Sequence, residues 1–420
     1  MQWKKTRSDS RDRRRPRGPF LFQILCLLAI ISLALKLVST HSDGIYHLAQ
    51  QILEDFDAAN AHRIHMSCKP DMDPRVRRLH IAREDHFVHS VQGTYPRLCR
   101  LSDGSILAGF TSFLPGGQRA LTIVRSTDEA RTFQPHGEVT RSFNDCDNLF
   151  LLELPPKAGA GTSTILAAFR NHDLDRNGAH TYFRITVCRS TDGGRTWSFL
   201  SQAFEKPAPF GLWEPFLRMG ADGREVQLYF SMELAMNDQD TMLVHSSDGG
   251  ATWTTPRCVT GGGEVLRDGM VGLAEARDCE RGSGALVLVM ETTRLGTFSV
   301  EAVVSFDDGH TFACRQVVYV ARKGRNAGAP QIAAFADGSV AVVFMTDEDE
   351  YGEPKWPRGA KIKAVFGTLM PDGKLLWSPA QVVGDAMCSW PGIMRIADDA
   401  AVAVYETSAS IRGRILRVGT

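Results

Sequence analysis

An eight-residue pattern recurs four times along the chain, beginning at positions 126, 190, 246 and 305. The copies are Ser126-Thr-Asp128-Glu-Ala130-Arg-Thr132-Phe133, Ser190-Thr-Asp192-Gly-Gly194-Arg-Thr196-Trp197, Ser246-Ser-Asp248-Gly-Gly250-Ala-Thr252-Trp253 and Ser305-Phe-Asp307-Asp-Gly309-His-Thr311-Phe312. Each reads Ser-x-Asp-x-Gly-x-Thr-aromatic, and Ala130 alone departs from the Gly position. Such a segment builds a turn by itself. The Asp accepts hydrogen bonds from turn N–H groups, the Gly takes a conformation closed to other side chains, and the aromatic packs the turn onto a sheet. One copy would carry little weight, but four at steps of about sixty residues require a repeat architecture.

A second repeat interleaves with the first. Six apolar hairpins run over 98–110 around Asp103-Gly104, 149–169, 216–230 around Asp222-Gly223, 271–290, 332–344 around Asp337-Gly338, and 393–405 around Asp398-Asp399. Each unit therefore reads as strand a, turn, strand b, strand c, the Asp-containing turn and strand d. Six four-stranded units predict an all-β fold, a six-bladed β-propeller over 76–420. Tandem β-sandwiches would not need this period. The last unit is short: only 413–418 remains for strand c, and no strand d follows. The segment 78–83 is expected to supply that outer strand from the other end of the chain, closing the ring.

This arrangement sorts polar residues by face. With strand a running down the central channel and b returning, the Asp-Gly turns and the Ser-x-Asp turns share the lower rim. Residues just before strand a and just after strand b gather at the upper mouth. Before the a strands lie Tyr95-Pro96-Arg97, Asp145-Cys146-Asp147, Trp213-Glu214-Pro215, Asp268-Gly269-Met270, Asn326 and Trp390. After the b strands lie Arg170-Asn171-His172-Asp173, Glu233, Glu291, Asp347 and Glu406. Carboxylates, aromatics, Arg and His around one concave mouth are what a sugar site needs.

Charge and hydropathy separate the amino terminus from this body. The chain has 48 Lys and Arg against 48 Asp and Glu, with the basic excess concentrated in the first 17 residues. The remainder is mildly acidic, so nucleic acid is not an expected partner. The apolar stretch from 20 to 35, followed by Lys36, Leu37 and Val38, follows this basic run as a signal anchor or signal peptide. The expected organisation is a basic cytoplasmic tail over 1–18, the anchor or signal over 19–38 and a stem over 39–75 carrying a short helix at about 44–60. The body would then lie in the secretory pathway, membrane-anchored or secreted, although the sequence contains no Asn-x-Ser/Thr glycosylation site. Eight cysteines beyond Cys26 permit disulfides there, but their spacing shows no zinc pattern.

The Ser-x-Asp-x-Gly-x-Thr-aromatic turns resemble the Asp boxes of the sialidase superfamily. The segments 93–107, 169–173, Gly211-Leu-Trp-Glu-Pro-Phe-Leu217 and Asn237-Asp-Gln-Asp240 resemble more particularly the fungal exo-α-1,5-L-arabinanases of glycoside hydrolase family 93, over about 75–420. The resemblance implies a propeller that hydrolyses arabinan from a chain end with retention, using two Glu residues and neither metal nor cofactor. By motif Glu214 is one of them. Glu291, closing Leu286-Val-Leu-Val-Met-Glu291, matches the other; Glu275 competes, but it lies within or near the end of strand a rather than at the mouth. Which Glu is nucleophile and which is acid/base is left open. Tyr95, Arg97, Arg170, Asn171, His172, Trp213 and Trp390 are the candidate substrate-binding residues. Tyr95-Pro-Arg97 also resembles the first arginine motif of sialidases, which makes a sialidase the second reading. A non-catalytic glycan-binding propeller is the third, because Asp boxes report fold and not activity. The expected partners are an oligosaccharide or polysaccharide substrate and a membrane through the N-terminal helix, with the protein a monomer.

Overall fold

The computed structural model describes residues 78–156, 163–353, 356–385 and 387–419. The expected basic tail, anchor and stem lie outside the described residues. Six antiparallel sheets follow one another along the chain, at 93–142, 145–207, 212–260, 268–319, 327–384 and 388–418. They are the six predicted blades. Their inner strands, Gly93–Arg100, Asp145–Glu153, Leu212–Met219, Asp268–Arg277, Ala327–Ala334 and Cys388–Ala397, each touch the inner strands of both neighbours, and the last returns to the first.

The ring closes as the short last unit requires. Leu79–Ile81 pairs antiparallel with Ile411–Val418, with Leu79 opposite Val418 and Ile81 opposite Leu416. A second piece, His86–His89, pairs with the other end of the same strand, His86 opposite Gly413. Leu79 is 3 % exposed and packs in the same apolar cluster as Tyr405 and Leu416. Blade 5 likewise has an outer strand in two pieces, Leu375–Trp377 and Gln381–Gly384. Middle strands are buried on both faces, as in Val340–Thr346, because each sheet is covered by the sheets beside it. No disulfide forms among the seven described cysteines.

The four repeated turns adopt one geometry. In each, the Ser hydroxyl donates to the Asp carboxylate, at 2.7 Å for Ser126, 2.8 Å for Ser190 and Ser246 and 2.7 Å for Ser305. That hydroxyl also accepts the N–H of the residue in the Gly position, which no sequence argument had assigned to it. The other Asp oxygen accepts the Thr hydroxyl at 2.6 Å in all four. Ala130, the one departure, adopts the left-handed conformation of its glycine counterparts at φ 61°. The turns also reach across blades. Gly193 O meets the His136 ring at 2.8 Å, Gly250 O accepts from Ser201 at 2.5 Å, and Gly309 O accepts from Arg257, each partner lying on the outer strand of the preceding blade. On the lower rim, the Asp103-Gly104 turn is tied to the end of strand c by Arg125 and Asp103 at 2.6 Å.

The inner strands depart from expectation in one respect. The mouth residues lie within strand a, where the pairing register slips in every blade. At each slip one non-glycine residue is left-handed: Tyr95 (φ 52°), Asn148 (56°), Glu214 (44°), Met270 (51°), Ala329 (49°) and Trp390 (51°). Four are followed by proline, which has no N–H to lose at a bulge.

In the third turn the Thr252 hydroxyl and N–H and the Ser246 hydroxyl favour ionised Asp248, holding its carboxyl down at about 2. Asp248→Ala is therefore expected to lower stability at pH 7 by about 1 kcal/mol, the exposed position keeping the loss small. A depressed carboxyl stabilises above its unfolded value near 4 and ceases to do so as pH falls through its folded one. Urea midpoints of the two proteins should thus converge between about pH 4 and pH 2; a gap independent of pH would refute the account.

Candidate active site

Four of the six left-handed residues at the slips in strand a, Tyr95, Asn148, Glu214 and Met270, line one cavity together with Arg97 and Gln331. The cavity is narrow, and Leu149, Phe150, Pro215, Phe216 and Val271 complete its lining. Glu214 stands on blade 3, and Glu291 reaches from the end of the middle strand of blade 4 (Gly284–Leu295).

Glu291 is 8 % exposed, and its Oε2 accepts the N–H of Ala329 on blade 5 at 2.8 Å. Space for that carboxylate exists because residue 328 is glycine: a Cβ there would lie 2.4 Å from Glu291 Oε2 and 3.2 Å from the Trp356 ring. Burial pushes the Glu291 carboxyl up to about 7, against the opposing pull of the Ala329 N–H and Arg267. Burial pushes Glu214 further, to about 8, and the charge on Glu291 adds to the rise while Arg170, Ser231 and Arg267 oppose it. The two carboxyls therefore sense one another, and near neutrality the proton resides preferentially on Glu214. Glu275 takes no part: it is exposed and ion-paired with Arg218 at 3.1 Å.

The remaining predicted residues divide. Tyr95 and Arg97 line the cavity, and Arg97 also ties blade 1 to blade 6 by donating Nη1 to the carbonyls of Pro96 (2.9 Å) and Pro391 (3.0 Å). Arg170 is held by Asp145 (3.1 Å) and Asp147 (3.2 Å), and its guanidinium lies 5.1 Å from the Trp213 ring centre. Trp213 thus supports the cation close to Glu214. Trp390 stacks on Tyr95, centroids 4.6 Å apart, and backs that ring instead of lining the cavity.

His172 is no sugar ligand. Its Nε2 donates to Leu212 O (2.8 Å), its Nδ1 accepts from Arg184 N–H (3.1 Å), and the side chain is fully buried. Burial pushes its pKa down to about 3, so it is a neutral strut between blades 2 and 3. Asn171 pairs opposite Cys146, and strand alternation turns it to the other sheet face from Arg170 and His172.

Sequence reasoning missed Asn148, Gln331 and Trp356. The first two occupy blade positions equivalent to residues it did name: Asn148 holds in blade 2 the place of Glu214 in blade 3. Superposing the six a strands would have found it. Trp356 comes from the long loop between the second and third strands of blade 5, where no periodicity guides placement. Among the described residues no group of His, Cys, Asp and Glu could hold a metal ion.

Residues 95–406 match the family model described as a BNR repeat-like domain. No curated protein matches the chain by sequence. Among solved structures, the α-L-arabinofuranosidase of Fusarium graminearum superposes with a TM-score of 0.59 at 18% identity, over 79% of this chain and 97% of that one. The α-L-arabinanase of Penicillium chrysogenum gives 0.58 at 16%, over 80% and 98%. A sialidase of Streptococcus pneumoniae gives 0.51 at 11%, over 84% and 72%. These likenesses are of fold.

A buried carboxyl with a raised pKa binds more protons folded than unfolded, so it lowers stability progressively as pH rises from its unfolded value near 4.5 to its folded one. Glu214→Gln removes that penalty. The variant should gain melting temperature over the parent, by more at pH 8 than at pH 5; melting curves that shift in parallel would show Glu214 to be ordinary.

Proposed function

The chain belongs to the BNR repeat-like domain family, and on that footing we propose that it is a retaining exo-glycosidase acting on α-linked arabinose-containing oligosaccharides or polysaccharides. The observation that carries the proposal is the pair Glu214 and Glu291: Glu214 stands half-buried in the cavity wall, Glu291 is buried near enough for its charge to help keep the proton on Glu214, and both carboxyls are raised. Retaining hydrolysis needs a carboxylate to attack the anomeric carbon and a protonated carboxyl to give a proton to the leaving oxygen. Glu291 suits attack because the Ala329 N–H and Arg267 favour its charge; Glu214, its proton retained by burial and by that charge, suits the acid. After the first step, Glu214 has lost its proton and draws one from the attacking water, which releases the sugar from Glu291.

One feature supports a neutral sugar. A sialic acid would bring a carboxylate, whereas the one arginine among the cavity's lining, Arg97, already spends Nη1 on two main-chain carbonyls. Supporting the choice of sugar, the Penicillium arabinanase of the same fold was crystallised with arabinobiose. The sequence-based expectation of a membrane-anchored or secreted enzyme suits a glycan substrate outside the cytoplasm.

The test is hydrolysis by the purified full-length protein of linear α-1,5-arabino-oligosaccharides, an aryl α-L-arabinofuranoside and an aryl sialoside, with the anomer of the first product followed by NMR. Release of a short product from one end with retained configuration is expected. Cleavage of the sialoside alone would move the reading to a sialidase, and glycan binding without cleavage to a binding propeller. Glu214→Gln and Glu291→Gln should each lower kcat by about 10²–10⁴-fold or more. kcat/KM should rise with pH through about 7, as Glu291 ionises, and fall above about 8, as Glu214 loses its proton.

Gly328→Ala should displace the Glu291 carboxylate and lower kcat while leaving the melting temperature within a few degrees. Unchanged kcat would mean that the Gly328 face does not position Glu291.

A further inference from the structure

Asn148 makes an unusual commitment of a polar side chain. It is 5 % exposed and lines the cavity beside Glu214, Tyr95 and Arg97; its amide lies within reach of the Tyr95 hydroxyl, yet neither its Oδ1 nor its Nδ2 makes a hydrogen bond of good geometry. Burying both ends of an amide unpaired is unfavourable, and such groups in native proteins have a partner to meet. Its main chain, by contrast, is fixed with care. Asp147 Oδ1 accepts the Asn148 N–H at 2.8 Å and the Thr111 hydroxyl at 2.6 Å, while Arg170 holds the other Asp147 oxygen at 3.2 Å. The bulge thus presents the amide to the cavity beside the Tyr95 hydroxyl, with no well-formed hydrogen bond to hold it there.

We propose that Asn148 is the residue by which this cavity recognises its sugar. The amide spans two neighbouring ring hydroxyls, Nδ2–H donating to one and Oδ1 accepting from the other, so the site demands an intact vicinal diol on the ring held at Glu214. An amide carries a donor and an acceptor side by side, the arrangement two adjacent hydroxyls complement, and a site built to hydrogen-bond a hydroxyl rejects the analogue that lacks it. The inference rests on the glycosidase reading of Glu214 and Glu291. A bland account also exists: asparagine tolerates the left-handed backbone at this bulge better than most residues. Glycine tolerates it better still, and that separates the two.

The experiment compares the full-length protein with Asn148→Gly on 4-nitrophenyl α-L-arabinofuranoside and on its 2-deoxy and 3-deoxy analogues. The parent protein should cleave at least one deoxy analogue about 10- to 100-fold less efficiently in kcat/KM than the intact sugar. Asn148→Gly, with its bulge intact, should lose about the same factor on the intact sugar and no longer distinguish it from that analogue. If Asn148→Gly keeps the parent's preference, or behaves as the parent on all three, Asn148 serves the backbone alone and the proposal falls while the glycosidase reading stands. If the parent cleaves none of the three, the arabinoside reading itself falls, and this assignment with it.

Discussion

No blade of this protein can stand alone. A four-stranded sheet whose middle strand is buried on both faces, as Val340–Thr346 is, has apolar surface on two sides and no element of its own to cover either. Each blade is completed by its neighbours, so the core exists only when the ring is shut. The pairing of Leu79–Ile81 with Ile411–Val418 is therefore a condition for the whole: it supplies the edge missing from blade 6 and lets that blade cover blades 1 and 5. The repeated turns serve the same end locally. Besides closing hairpins, they place a main-chain carbonyl against the outer strand of the blade before, so that neighbouring sheets are joined at the rim as well as through the core.

Closing a ring of sheets leaves the inner strands converging on an axis, and the slips in the inner strands are what bring Tyr95, Asn148, Glu214 and Met270 to one cavity. A left-handed non-glycine residue costs on the order of 1–3 kcal/mol and persists where packing over-determines it. Here the cost recurs six times at one level of the channel. Glu214 occupies one of these positions and Ala329, whose N–H holds Glu291, another. Backbone irregularity, glycine at 328 and the raised carboxyls are thus connected: the bulges aim the side chains inward, the inward position removes them from water, and removal from water retains the proton.

How much of this was legible follows from how local each signal is. The turn repeat and the hairpin period specify strands and closure through residues near one another in the chain, and blade number, the donated outer strand and the position of Glu214 at the inner end of blade 3 all emerge from it. What the sequence concealed depends on contacts between blades. His172 looks like a ligand beside Arg170 and Asn171, but its partners, Leu212 and Arg184, are 40 and 12 residues away and take both ring nitrogens. Trp390 reads as a sugar platform until Tyr95, from the opposite end of the propeller sequence, is found stacked on it. Asn148 went unnoticed because a bulge does not declare itself where no proline follows it.

The six left-handed positions also separate what holds the protein together from what it discriminates. Their main-chain path is set by the slip in register and, in four blades, by the proline that follows, while their side chains divide: Asn148 and Glu214 present polar groups to the cavity, whereas Tyr95, Met270 and Ala329 belong to one apolar cluster with Leu79 and Tyr405. Exchanging Asn148 or Glu214 alters the wall of the cavity without entering that cluster. The two polar positions behave as sockets: selection can try new residues there against new ligands while the scaffold stays intact, and a combinatorial library confined to them would sample binding preferences without first having to rescue stability.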